Sequence, residues 1–186
     1  FEEQGNYSIL GMGWNSLGIF GNGTTNDETK VTRLVDGNMR KVSAGYFHSM
    51  FLDADGSLWT TGSNAGGGLG DGSTMDRYEP RKIVSSGVID ISAGTGHSLF
   101  LRENNSLWSV GRNDYGQLGS GTKVNQTTSL MVVPSDVVEI DAGSYHNVFV
   151  KSDGSLWGFG SNENGELGDG TTTNRASPIK IINAGV

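Results

Sequence analysis

Three histidines are the residues best suited to acid–base or metal chemistry, and they recur at a fixed interval. His48, His97 and His146 lie 49 residues apart and are the only histidines of the chain. A metal site would require their rings to converge within a few ångströms. Because the three histidines occupy equivalent positions in successive repeats, their rings are expected to lie apart. We therefore expect each histidine to bond a nearby backbone group and to have a structural role.

Glycine-rich segments are the second candidate for chemistry, because such loops can cradle phosphates. That mechanism needs a helix N-terminus after the loop, and no helix is predicted here. The segment also occurs four times, whereas a cofactor site occurs once. We expect no cofactor, and we expect the glycines to satisfy turn geometry at Gly70, Gly119 and Gly168.

Carboxylates could bind calcium or act in catalysis. Asp53-Ala54-Asp55-Gly56 superficially resembles a calcium loop but lacks the required spacing and the terminal Glu. Hairpin turns are the better interpretation. The chain has no Cys nucleophile, and the Ser or Asn after each His is adjacent in sequence, which does not form a triad. We expect neither a metal site nor an enzyme.

Composition limits the classes of partner. The 186 residues carry a net charge of −7 and include 30 Gly. Nucleic acid is an unfavourable partner because an acidic chain without a basic run gains little from phosphate contacts. Membrane insertion is not expected either, since no apolar run approaches the roughly 18 residues that a span requires.

The histidines and glycines belong to a repeat of 49 residues. A segment of the form Gly-x-Asn, followed by Leu-Gly or Phe-Gly, occurs four times without gaps. Ala-Gly-x-x-His occurs three times, and each copy leads into Ser-Leu-Trp. Counted by phase, the repeats are 1–49, 50–98, 99–147 and 148–186, all in one domain. We expect three repeated tryptophans to lie in the repeat core: Trp59, Trp108 and Trp157.

Each repeat is predicted to form four short strands. The first lies around Val42, the second alternates through Met50 and Leu52, and the third carries the Trp. The fourth follows the glycine-rich loop and is expected to open at Pro80, with Pro178 equivalent. Four-stranded units at a period near 50 are typical of propeller blades, so the predicted fold is an all-β propeller.

The combined blocks Ala-Gly-x-x-His-Ser, Ser-Leu-Trp and Gly-x-Asn-x-x-Gly-x-Leu-Gly-x-Gly-Thr resemble the repeat of the regulator of chromosome condensation family, over essentially the whole chain. The Asp-Gly-Ser-Leu-Trp version resembles its bacterial branch. The resemblance implies a seven-bladed propeller that presents loops from one face to a partner. The present chain would then be about four blades of a larger ring.

Positions that differ between repeats are free to carry function. Aromatic residues at such loop positions are typical of binding hot spots. The glycine-rich loop of the third repeat also differs from the other loops at Gln117. The candidates for partner binding are Trp14, Tyr46, Phe47, Tyr115 and Tyr145.

Two functions agree with these observations. The first is a non-catalytic scaffold that binds a protein partner. The second is a structural repeat segment of a bacterial extracellular surface, adhesive or filament protein, which the polar loops would suit. Since the fourth repeat ends before its Ala-Gly-x-x-His block, we also expect an excerpt of a longer propeller, or self-association through open blade edges.

Overall fold

A computed structural model describes residues 8–184, and every regular element in that range is a β-strand. The strands are β1 Ile9–Gly13, β2 Glu28–Val35, β3 Met39–Ala44, β4 His48–Asp53, β5 Leu58–Gly62, β6 Arg77–Val84, β7 Val88–Ala93, β8 His97–Arg102, β9 Leu107–Gly111, β10 Gln126–Val133, β11 Val137–Ala142, β12 His146–Lys151, β13 Leu156–Gly160 and β14 Arg175–Ile182.

These strands form antiparallel sheets in which neighbours along the chain are also neighbours in space. Strands β1 and β2 form a two-stranded sheet, and β3–β6, β7–β10 and β11–β14 form three four-stranded sheets. The described residues therefore contain three complete blades and two strands of another. The prediction of an all-β propeller with four-stranded blades is confirmed, and the chain is a partial propeller.

The core lies between successive blades, because the second strands of the first two complete blades, β4 and β8, are buried on both faces. Met50 and Leu52 of β4 pack with Ile91 and Phe100 of the following blade. Phe51, between them in sequence, packs on the opposite face in the preceding cluster. Burial of each such side chain stabilises the fold by about 2 kcal/mol. A blade is therefore held chiefly by its neighbours.

The first strands of the blades, β3, β7 and β11, lie side by side and are joined by serine side chains. Ser43 Oγ accepts a hydrogen bond from the backbone N–H of Ala93 at 3.0 Å. One repeat later, Ser92 Oγ accepts from the N–H of Ala142 at 2.9 Å. The same bond thus recurs at both junctions between the complete blades.

The prolines lie elsewhere than predicted. Pro80 and Pro178 are the fourth residues of β6 and β14, not the first. Pairing of β5 with β6 is irregular between Thr60 and Gly62, opposite the segment that holds Pro80. Proline is tolerated here because the strand is the outer edge of its blade and the ladder is interrupted at this point.

Antiparallel pairing sorts the connections between two ends of each blade. The turn 45–47 and the glycine-rich loop 63–76 lie at one end, which we call the loop end. The turn 54–57 and the connection 85–87 lie at the opposite end, which we call the turn end. The copy-specific aromatic residues named above all fall at the loop end.

Candidate functional site

Buried asparagines fix the glycine-rich loops of the loop end. Asn64 Oδ1 accepts a hydrogen bond from the N–H of Leu69 at 3.0 Å, and its Nδ2 donates to the carbonyl of Ser73 at 3.0 Å. Asn15, Asn113 and Asn162 make the equivalent bonds in their own loops. One side chain thus satisfies a donor and an acceptor of the turn, which gives each loop a fixed shape.

An ion pair closes the same loop in two copies. The Asp71 carboxylate accepts from Arg77 Nε at 2.7 Å, and Asp169 accepts from Arg175 Nε at 2.9 Å. Burial alone would raise the pKa of Asp71, but hydrogen bonds from Ser73 and Arg77 outweigh it and hold the pKa below its usual value. The carboxylate is therefore charged and paired at neutral pH.

Glycine conformation is a further constraint on these loops. Gly70, Gly119 and Gly168 have φ of +74°, +66° and +67°. Residues with a Cβ adopt this left-handed region only at a cost. The geometry accounts for glycine at the same position of each repeat.

The first aromatic pair lies on the turn between β3 and β4. The rings of Tyr46 and Phe47 meet edge to face with centroids 4.5 Å apart. Tyr46 is 69% exposed, whereas Phe47 is half-buried. Phe47 and Leu17 line a small pocket of about 230 Å³ that extends to Arg112 of the next blade.

The second aromatic pair joins two blades. Tyr115 of one glycine-rich loop and Tyr145 of the β11–β12 turn have ring centroids 5.2 Å apart. The Arg112 guanidinium lies 6.0 Å from the centre of the Tyr145 ring. Arg112 also forms an ion pair with Asp114, which helps to hold it in place.

Together these residues form one surface at the loop end, which we call the aromatic face: Leu17, Tyr46, Phe47, Arg112, Tyr115 and Tyr145. Trp14 starts the first glycine-rich loop and is 47% exposed. Leu17 and Arg112 were not predicted as binding residues, because their place beside the rings depends on the packing of adjacent blades. Gln117 does not belong to this surface, since it is fully buried.

His48 and His97 bond the following blade, and not a local backbone group as predicted. His48 Nε2 lies 2.8 Å from Ser98 Oγ, and His97 Nε2 lies 2.8 Å from Asn147 Oδ1. Ser98 Oγ in turn donates to the carbonyl of Gly68 at 2.8 Å. Both histidines are fully buried. Each one ties its own blade to the next.

The bonding pattern fixes which ring nitrogen carries the proton. Ser98 gives its only proton to Gly68, so His48 Nε2 must be the donor to Ser98 Oγ. Asn147 Oδ1 can only accept, so His97 Nε2 is also a donor. Among residues 8–184, Nδ1 of both rings has no hydrogen-bond partner. Both rings are therefore neutral with the proton on Nε2.

Burial is the main cause of the low basicity of these rings. Desolvation lowers the pKa of His48 to about 4, with a smaller contribution from the charge of His97. Desolvation likewise lowers the pKa of His97 to about 4, against the opposing effect of the bond to Asn147. Neither ring is a base at neutral pH.

The glycine of each Ala-Gly-x-x-His block makes room for the imidazole. A Cβ added to Gly94 would lie 2.2 Å from His97 Cε1. Gly143 is equally close to the ring of His146. His146 itself is only half-buried, because the described residues contain no later blade to cover it. In the first two copies of the motif the ring is thus packed at a junction between blades.

The repeated tryptophans are half-buried at blade junctions. Trp108 stacks on Phe100 at 6.0 Å, and Trp157 stacks on Phe149 at 6.1 Å. Their Nε1 atoms donate to Ser106 and Ser155. Trp59 differs, because its Nε1 donates to Asp53 Oδ2 at 3.0 Å.

Two further kinds of site are absent from residues 8–184. In that range no group of three or more His, Cys, Asp or Glu side chains could hold a metal ion. The same residues include no helix with the length and apolar character needed to cross a membrane.

Solved structures with low sequence identity to this chain share its fold. Human WBSCR16 matches with 24% identity and a TM-score of 0.79, over 93% of this chain and 47% of that one. Yeast RCC1 (Prp20) bound to Kap60 matches with 22% identity and a TM-score of 0.80, over 95% of this chain and 45% of that one. Prp20p from Saccharomyces cerevisiae gives the same identity and TM-score, over 95% and 46%. The chain therefore spans about half the length of these proteins.

Comparison at the level of sequence identifies the family. No curated protein matches the chain. Two family models, each described as a regulator of chromosome condensation (RCC1) repeat, do match it. One covers residues 39–67, 88–117 and 137–166, and the other covers residues 8–52, 55–101, 104–150 and 153–185. The chain belongs to the regulator of chromosome condensation (RCC1) repeat family.

Proposed function

We propose that the chain is a non-catalytic scaffold that binds a protein partner through its aromatic face. The observation that carries this proposal is the presence of two aromatic pairs, joined by Arg112, at one end of the blades. Tyrosine and arginine are the residue types enriched at binding hot spots. Tyr115 lies on an asparagine-anchored loop of fixed shape, so little conformational entropy of that loop is lost when a partner binds.

The absence of catalysis is also part of the proposal. His48 and His97 are fully buried and bonded to neighbouring blades. A general base must reach a substrate proton, and these rings cannot. Two of the described carboxylates with lowered pKa values, Asp71 and Asp169, lie in structural ion pairs with Arg77 and Arg175.

A protein, and not nucleic acid, is the proposed class of partner. Two of the similar structures concern a yeast protein described with Kap60, Gsp1p and histones. Those partners are not transferred to this chain, which shares the fold at 22% identity. The net charge of −7 disfavours direct contact with phosphate backbones.

Removal of the aromatic pairs is expected to abolish capture of the partner. Immobilised chain is compared with a variant in which Tyr46, Phe47, Tyr115 and Tyr145 are changed to Ala. Hot-spot truncations cost about 2 kcal/mol each, so at least one captured protein should be lost. The control is Val31→Ala, which removes an exposed apolar side chain from the outer strand β2. Identical capture by all three folded proteins would refute the proposal.

Self-association is proposed for the 186-residue chain because one flank of the third complete blade is open. A Cβ at Gly116 would meet the Ala176 backbone at 2.5 Å, whereas a Cβ at the equivalent Gly165 has no described atom within 4 Å. The half-buried His146 lies at the same flank. A second copy would cover it.

Light scattering tests this association. We expect a dimer or larger oligomer that dissociates on dilution, since uncovered blade faces and strand edges favour pairing. The variant Gly165→Glu places a bulky charge on the flank and should weaken association at least tenfold. The equivalent change Gly116→Glu cannot serve as a control, because its side chain would clash with Ala176 of the same chain. A strictly monomeric, cooperatively folded chain at high concentration would contradict the proposal.

The second hypothesis, a structural segment of a bacterial extracellular protein, stays a hypothesis. None of the three similar structures named above is described as such a protein.

A further inference from the structure

A second cavity lies at the turn end, away from the aromatic face. It has a volume of about 360 Å³ and lies between the two-stranded sheet and the first complete blade. Its apolar walls are Val35, Met39 and Trp59, and its polar rim consists of Asp36, Asp53 and Asp55. We call it the Trp59 cavity. An aromatic wall with carboxylates at the rim is a suitable environment for an organic cation.

The other two blades show what occupies the equivalent place. Position 53 corresponds to Arg102 and Lys151 in the next two repeats. The Arg102 guanidinium lies 5.7 Å from the Trp108 ring centre, and Lys151 Nζ lies 4.9 Å from that of Trp157. Each of those blades therefore supplies its own cation to its tryptophan. The first complete blade has Asp53 there instead.

A cation already near Trp59 does not exclude a second one. Lys82 Nζ lies 4.6 Å from the Trp59 ring centre and donates to Ser57 Oγ at 3.2 Å. Trp157 shows that one indole can accept two cations, because Lys151 and Lys180 lie 4.9 Å and 5.3 Å from its centre.

The rim carboxylates retain capacity for a ligand. Among residues 8–184, Asp53 and Asp55 form no ion pair. Asp36 accepts a hydrogen bond from Ser8 Oγ and forms an ion pair with Arg33. Both side chains of the ion pair are largely exposed, so the pair is worth little. Burial would raise the pKa of Asp53, but hydrogen bonds from Trp59 and Ser57 outweigh it and lower the pKa.

We propose that the Trp59 cavity binds an arginine side chain of a protein partner, in the place that Arg102 and Lys151 take in the other blades. Arginine suits it better than lysine because a planar guanidinium stacks on an indole and bonds two carboxylate oxygens at once. The identity of the partner rests on the proposed scaffold function, but the chemistry of the cavity does not. The cavity would give the scaffold a second contact, separate from the aromatic face.

Titration with a capped arginine, acetyl-arginine amide, tests the cavity directly. The four indole N–H signals of the 186-residue chain are followed by NMR. We expect the Trp59 signal to shift with a dissociation constant on the order of millimolar. Trp108 and Trp157, where Arg102 and Lys151 take the position of Asp53, should shift at least fivefold less. Capped glutamate at the same ionic strength should have no such effect. Equal shifts of all indoles would overturn the proposal.

Matched variants show which residues are responsible. Asp53→Arg is expected to fill the cavity as Arg102 does and to weaken arginine binding at least tenfold. Asp55→Asn leaves the Trp59–Asp53 bond in place and should weaken binding about threefold. Asp153→Asn, the equivalent change beside Trp157, is the control and should leave binding unchanged. Unaltered binding in folded Asp53→Arg and Asp55→Asn would refute the site. Because free arginine is the probe, this result is independent of whether the aromatic face binds a partner.

Discussion

Acidification from pH 7 to 4.5 is expected to destabilise the chain by about 2 kcal/mol for each of its two fully buried histidines. The pKa values of His48 and His97 fall to about 4 in the folded chain, from 6.5 when unfolded. Between these values the unfolded chain binds more protons than the folded chain. The contribution of the two neutral histidines to the free energy of unfolding is therefore present above pH 6.5 and is lost as the pH falls towards 4.

The physical reason is that a charged ring has no compensation at these positions. Protonation of His97 would place a second N–H at Nδ1, where no described acceptor exists. The backbone of Gly94 also packs against this side of the ring, where an added Cβ would lie 2.5 Å from Nδ1. Protonation therefore destabilises the junction between blades. The combined loss from the two histidines, about 4 kcal/mol, is a large fraction of typical domain stability.

Urea unfolding at several pH values measures this effect. In His97→Gln the dependence between pH 6.5 and 4.5 should fall by about half, because one of the two buried rings is gone. Asp169→Asn is the control. Hydrogen bonds from Thr171 and Arg175 hold the pKa of Asp169 well below its usual range. The stability that this carboxylate contributes is therefore lost only below about pH 4, and its removal should leave the dependence between pH 6.5 and 4.5 unchanged. A pH dependence unchanged by His97→Gln would show that the buried histidine is not responsible.

The repeat pattern predicted the fold because the same strand and turn signals occur in each copy and so support one another. Strand order, strand number and the place of the glycine-rich loops follow from alternation and turn residues that recur at 49-residue intervals. Antiparallel alternation also places Tyr46, Tyr115 and Tyr145 at one end of the blades. That step requires no knowledge of side-chain packing.

Contacts between blades were predicted less well, since they depend on how adjacent repeats are offset. The partners of His48 and His97 lie one repeat and one residue further on, at Ser98 and Asn147. A signal was present, because the residue after each histidine is always a Ser or Asn that can bond a ring. The Trp59 cavity had a comparable signal in the change from Asp53 to Arg102 and Lys151. Only the structure shows that these side chains lie beside the tryptophans.

Gly119→Ala is expected to cost about 3 kcal/mol, and the equivalent Gly168→Ala only about 1 kcal/mol. Both positions have positive φ, +66° and +67°, and an alanine there costs about 1 kcal/mol through the backbone alone. The difference comes from packing. A Cβ at Gly119 would lie 2.7 Å from Val132 Cγ1 and 3.0 Å from Phe159 Cδ2, whereas a Cβ at Gly168 meets no described atom within 4 Å.

The clash at Gly119 cannot be relieved cheaply, because Phe159 is fully buried between two blades. Overpacking of such a site costs about 1–3 kcal/mol. Urea midpoints of the two variants, with unchanged m-values, measure the difference directly. Gly70→Ala should fall between them, since its Cβ would lie 3.2 Å from Val110 Cγ1. Equal losses at Gly119 and Gly168 would mean that backbone conformation alone sets the cost and that the junction between blades adapts to the added methyl group.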